Sequence, residues 1–92
     1  MKSIIQTDGM YCYRCHRAIG TETHHIFGAA NRKFSDADGL TVRLCRECHD
    51  FIHFAKDGKS YMDALRELGQ AKWEAAYGDR EAFMKRYGRN YL

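Results

Sequence analysis

The sequence predicts a small α+β domain, two strands and a helix in ββα order, held together by zinc and extended by further helices towards its C-terminal end. Three observations predict it. Two Cys-x-x-Cys pairs, Cys12 with Cys15 and Cys45 with Cys48, bracket the centre of a 92-residue chain. Between them lie two runs rich in β-branched and aromatic residues, TETHHIF (21–27) and LTVRL (40–44). After the second pair, apolar residues recur at helical spacing.

A chain this short buries a modest share of its surface and often leans on a metal or a disulfide. Paired cysteines without a signal-peptide pattern or an apolar run of membrane-spanning length point to zinc in a reducing cytoplasm, not to secreted disulfides. With neither repeats, low-complexity segments nor proline, residues 1–92 read as one domain, a zinc knuckle and ββα core over 11–56 and C-terminal helices over 60–92. The formal charge of +3 is only mildly basic, and four thiolates on one zinc ion leave roughly two negative charges, so global charge says little about nucleic acid. Local charge says more: Arg14, Arg17, Arg32, Lys33, Arg43 and Arg46 fall near the cysteine pairs or in the loop between them.

Taken in order, Met1 to Met10 is polar and ends in the turn signal Asp8-Gly9, an arm or edge strand. Tyr11 to His16 is a first knuckle, turning tightly enough to aim backbone N–H groups at sulfur. Residues 21–27 form a strand on which successive side chains face opposite ways, so His24 and His25 should not do the same job. Residues 29–39 mix Asn, Arg, Lys, Ser, Asp and Gly without a period and read as a loop. Residues 40–44 form the second strand, and Cys45 turns the chain into a helix. On that helix Cys48, Phe51 and Ala55 share one side while His49, His53 and Lys56 share the other. Asp57-Gly58 should end it, with Ser60 capping a second helix that Gly78 stops. Asp79 should cap a last short helix closed by Gly88. The helical spacing of Trp73, Tyr77, Phe83 and Tyr87 assigns them to core packing rather than to base stacking.

Two constellations carry chemistry. Cys12, Cys15, Cys45 and Cys48 suit a closed four-sulfur zinc shell, which has no position for water and is therefore structural; His16 in place of one sulfur is the lesser alternative. His24, His25, His49 and His53 are the second. Three imidazoles suit a divalent transition metal with open positions, and a fourth is then free as a general base. Against this stands a plainer reading, surface histidines with no second metal site. Asn31, Arg32, Lys33 and Arg43 are candidates for phosphate contacts, with a solvated loop as the alternative. Arg43, on a short strand beside the helix start, can aim at a metal-bound phosphate.

The pattern of Cys-x-x-Cys, then HHI, then a strand running into LCRECH resembles the zinc-bound branch of the HNH endonucleases over residues 11–53. The resemblance implies a ββα-metal fold that cuts DNA phosphodiester bonds. It implies His25 as general base, with His24, His49 and His53 on a catalytic Mg²⁺, Mn²⁺ or Zn²⁺ and the cysteines on structural Zn²⁺. That family's middle Asn, ahead of the second strand, tethers the loop that orients the base; here the place holds Gly39-Leu40, and Asn31 or a backbone group is left to serve. The FGAANRK loop and the closing YGRNYL also resemble small phage proteins of the recombination-enhancement, RecA-dependent nuclease family. That implies a phage-encoded enzyme in the host cytoplasm, acting in DNA recombination or processing as monomer or dimer, with DNA and a RecA-type recombinase filament as partners and no membrane. The alternative is a noncatalytic zinc module binding DNA or a recombination protein, or a structural part of a larger phage machine.

Overall fold

A computed structural model describes residues 1–92. Strand β1 (Thr21–His25) pairs antiparallel with β2 (Thr41–Cys45), in the register Thr23↔Arg43 and His24↔Val42. Between them the chain forms a 3-10 turn (Ala29–Asn31) and helix α1 (Arg32–Asp38). Helices α2 (Arg46–Phe54), α3 (Gly58–Ala76) and α4 (Arg80–Tyr87) follow. The architecture is a small α+β unit of ββα kind. No helix is long and apolar enough to cross a membrane.

The expected loop over 29–39 is the main correction. Its helix lacks an apolar period because tertiary contacts hold it. Buried Ser35 donates from Oγ to the Phe27 carbonyl (3.0 Å) and accepts from the Phe27 amide (2.9 Å). Asp38 receives Trp73 Nε1 (2.8 Å), Arg86 Nε (2.7 Å) and the Tyr87 hydroxyl (2.7 Å). Gly39 then ends the helix at φ 74°, and a Cβ there would stand 2.5 Å from the Lys2 carbonyl, so only glycine suits.

A second correction concerns the junction of α2 and α3. Helix α2 stops at Phe54, with Ala55 already extended at ψ 151°, and α3 starts at Gly58, leaving Ser60 inside the helix and not at its cap. Packing sets this point: a Cβ on Gly58 would lie 2.1 Å from the Phe51 carbonyl, so the two helices meet backbone to backbone. Both expected features of α4 are present. The Asp79 side chain accepts from the Ala82 amide, and Gly88 closes the helix at φ 91°. The α3 helix ends at Ala76, two residues before Gly78.

The core joins the inner face of the sheet, Val42 and Leu44, to Ile52, Leu65, Trp73, Phe83 and Tyr87. Phe27 lies at its centre, with ring centroids 5.6 Å from Phe83 and 4.9 Å from Tyr87. The expected role of Trp73, Phe83 and Tyr87 as core residues holds, while Tyr77 is exposed. The arm covers the outer edge of β2, a site where unpaired strand groups invite aggregation. Ile4 N donates to Gly39 O (2.9 Å), Arg43 N donates to Gln6 Oε1 (2.7 Å), and Tyr13 N donates to Arg43 O (2.7 Å). The other edge, along β1, pairs with no strand.

Candidate metal centres and active site

The four cysteines converge from two turns. Cys45 ends β2 and caps α2, and Cys48 sits one turn into that helix, so the strand-to-helix corner presents both sulfurs to the knuckle. Their ligand atoms all lie within 4.8 Å of one another, and Cys15 Sγ is 3.8 Å from Cys45 Sγ. A tetrahedron with Zn–S bonds of ~2.3 Å has edges of about 3.8 Å. Backbone amides of Cys15 and Cys48 point at Cys12 and Cys45 sulfur (3.5 Å each), as a knuckle requires. None of the four is in a disulfide. His16, at φ 66°, turns its ring to Tyr11 and stays outside the set.

Two arginines bear on these sulfurs. Arg17 Nε donates to Cys15 (3.2 Å), and Arg14 Nη1 donates to Cys48 (3.4 Å) while lying 3.7 Å over the Phe51 ring. The Arg17 hydrogen bond foremost lowers the Cys15 thiol to about 6, whereas burial pushes Cys48 up to about 12. Sulfurs this close would repel one another as thiolates, and a cation among them offsets that repulsion. The donor set fits a structural metal ion such as zinc.

The second cluster is built across the sheet and α2. His24 faces inward from β1, and His49 and His53 project one turn apart from α2. The three ligand nitrogens lie within 4.8 Å of one another. His24 is 6 % exposed, and its Nε2 is buried without any hydrogen-bond partner. Burial foremost, with His49 and His53 adding to it, lowers His24 to about 4, which keeps the imidazole neutral and its lone pair free. An unpartnered buried nitrogen costs ~1–3 kcal/mol, a penalty that coordination would remove. Glu22 completes the cluster: its Oε2 is 2.8 Å from His49 Nδ1, and the His49 hydrogen bond foremost lowers its carboxyl.

The other candidates lie elsewhere. His25 faces away from His24, with Nε2 3.2 Å from Asp36 Oδ1. It lines an open hollow of about 670 Å³ with Ala29, Ala30, Arg32, Lys33 and Asp36. Arg32 and Lys33 are thus brought beside His25. Arg43 is not brought to the histidine cluster. The register puts it on the opposite face, where its guanidinium donates to Thr21 Oγ1 (2.6 Å), Thr23 Oγ1 (3.2 Å) and the Thr21 carbonyl (2.7 Å). Asn31 Nδ2 donates to the Tyr87 carbonyl (2.9 Å) and ties α1 to α4 instead of reaching His25.

Glu22 and Asp36 are the functional candidates that the sequence reading missed. Strand alternation puts Glu22 on the face of His24, a usable signal. Asp36 offers none, because residues 29–39 carry no helical period. No family model matches the chain, and neither curated proteins nor solved structures yield a match.

Proposed function

We propose that the chain is a metal-dependent HNH-type endonuclease that hydrolyses DNA phosphodiester bonds. The observation that carries this reading is the histidine cluster, in which buried His24 keeps an unpartnered nitrogen beside His49 and His53, with a fourth imidazole, His25, next to it on the strand. His24 and His25 face opposite sides of β1, whose outer edge pairs with no strand, so a phosphodiester along that edge would lie between the two. His25 takes a proton from the attacking water, in line with the bond to be broken. Arg32 and Lys33, in the His25 hollow, draw the phosphate backbone in. His24, His49 and His53 would hold a divalent ion, which would supply positive charge against the negative charge that develops on the phosphate. The products are 3′-hydroxyl and 5′-phosphate ends, and a single site nicks one strand per event.

Arg43 favours a second reading. With its donors bound to Thr21 and Thr23 it brings no cation to the cluster, which suits a noncatalytic zinc module that binds DNA or a recombination protein. Nicking of supercoiled plasmid in a series of Mg²⁺, Mn²⁺ and Zn²⁺, with and without a RecA-type recombinase filament, separates the two. Metal-dependent nicking lost in His49→Ala supports the nuclease. Folded, zinc-loaded protein that binds DNA and nicks under none of these conditions overturns it.

A further inference from the structure

The hydrogen bond that orients His25 comes from α1. A carboxylate only accepts, so in the contact of 3.2 Å between His25 Nε2 and Asp36 Oδ1 the ring nitrogen carries the proton, which in the neutral imidazole leaves Nδ1 bare. We propose that Asp36 is the positioning residue for His25, fixing the tautomer and ring orientation in which Nδ1 serves as the base. The proposal rests on the nuclease reading for its catalytic consequence and on the geometry alone for the tautomer.

Three features make this more than a chance surface pair. Asp36 lies between two anchors of its own helix, buried Ser35 bridging Phe27 and Asp38 bound to Trp73, Arg86 and Tyr87, so its backbone cannot drift. The His25 side chain is only 14 % exposed, which restricts the ring to few orientations. Asn31, which the family resemblance offered for this task, is bound to Tyr87 instead. At 63 % exposure the Asp36 carboxylate adds little to stability, because water screens it, so its removal leaves the fold intact.

The test uses the full, zinc-loaded chain with ¹⁵N-labelled histidine, read by long-range proton–nitrogen correlation at a pH about 1.5 units above the ordinary imidazole value. Wild type is expected to show His25 protonated at Nε2 and bare at Nδ1. Asp36→Ala should mix the tautomers, and Asp36→Asn, whose amide oxygen still accepts, should restore the wild-type pattern. Circular dichroism verifies that each variant is folded. In the nicking assay Asp36→Ala should lower kcat on the order of 10-fold to 100-fold, the usual cost of losing an orienting partner, with KM for DNA unchanged. An unchanged His25 tautomer in Asp36→Ala, or a wild-type ring protonated at Nδ1, overturns the proposal even if nicking is observed. The expected tautomers in a protein that never nicks overturn the nuclease reading and leave the positioning role standing.

Discussion

Glu22 Oε2 stands 2.8 Å from His49 Nδ1, joining the start of β1 to the first turn of α2. Since the carboxylate accepts, Nδ1 carries the proton and Nε2 is the nitrogen left for a ligand. Arg46 Nη1, 3.5 Å from Glu22 Oε1, steadies the carboxylate from its other side. Partners of this kind orient metal-binding histidines, and their loss typically costs 10-fold to 100-fold in affinity. Glu22→Ala should therefore weaken divalent-metal binding to the zinc-loaded chain by about that factor, measured by calorimetric titration. Unchanged affinity would mean that His49 is oriented by its own helix alone.

The cysteine centre makes a sharper claim, about folding. Cys45 is both a candidate ligand and the cap of α2, accepting from the Cys48 amide. Structural zinc in small domains contributes ~10–16 kcal/mol, more than a typical domain's whole stability of ~5–15 kcal/mol. Cys45→Ser should leave the chain unfolded at room temperature, and a strong chelator should unfold the wild type. Elemental analysis that finds no zinc in folded, purified protein would defeat this expectation.

Asp38 joins α1 to the C-terminal helices. Burial alone would raise its carboxyl, but donation from Arg86, Tyr87 and Trp73 wins and holds it below the usual range. Asp38→Ala leaves Trp73 Nε1 and the Tyr87 hydroxyl without their acceptor and should cost about 2–3 kcal/mol, read by urea unfolding. The sign of the pH effect follows from the depressed native pKa. The stabilisation is complete well above the unfolded value of ~3.9 and is lost as pH falls through that value and below it. Wild-type stability should thus drop in acid more steeply than that of Asp38→Asn, and parallel curves would remove Asp38 as the cause.

Arg32 and Lys33 flank the His25 hollow, whereas Arg43 is tied to Thr21 and Thr23. Cations that contact phosphate steepen the salt dependence of binding by about 0.9 per contact in logarithmic slope. Arg32→Ala with Lys33→Ala should flatten the slope by roughly two such contacts and weaken binding to all sequences alike. Arg43→Ala should instead lower thermal stability, since its guanidinium fastens the two strands. A salt slope that moves with Arg43 and not with the pair would relocate the DNA path to the other end of the sheet.

The cysteine spacing, the two strands and the histidine face of α2 were legible because each rests on local geometry, a two-residue turn or a helical repeat. Helix α1 was not, since Ser35 and Asp38 are held by residues distant in sequence and leave no period. The face that Arg43 occupies is hidden in the sequence for a related reason. Alternation fixes which residues of one strand share a face, but only the register Thr23↔Arg43 sets it opposite His24, and register is set by the whole hairpin. Residue type alone makes Asn31 a candidate, yet its partner, the Tyr87 carbonyl, belongs to the last helix of the chain.

Neighbouring histidines on β1 should fail differently when removed. His24 is buried against α2, with rings 5.4 Å from His49 and 5.9 Å from His53, and its neutral imidazole has an unpartnered nitrogen. His25 points the other way, towards Asp36 and the hollow that also holds Arg32 and Lys33. His24→Ala should therefore lose divalent-metal affinity and nicking together. It also leaves a cavity under β1, so His24→Gln, closer in volume, separates metal loss from weakened packing. His25→Ala should keep the metal and bind DNA with wild-type affinity while nicking falls by ~10²-fold to 10⁴-fold, the usual contribution of a general base. Metal titration and plasmid nicking on the same preparations decide the matter. Full activity in His25→Ala would exclude that imidazole as the base, and equal metal loss in both variants would mean that β1 presents both rings to one ion.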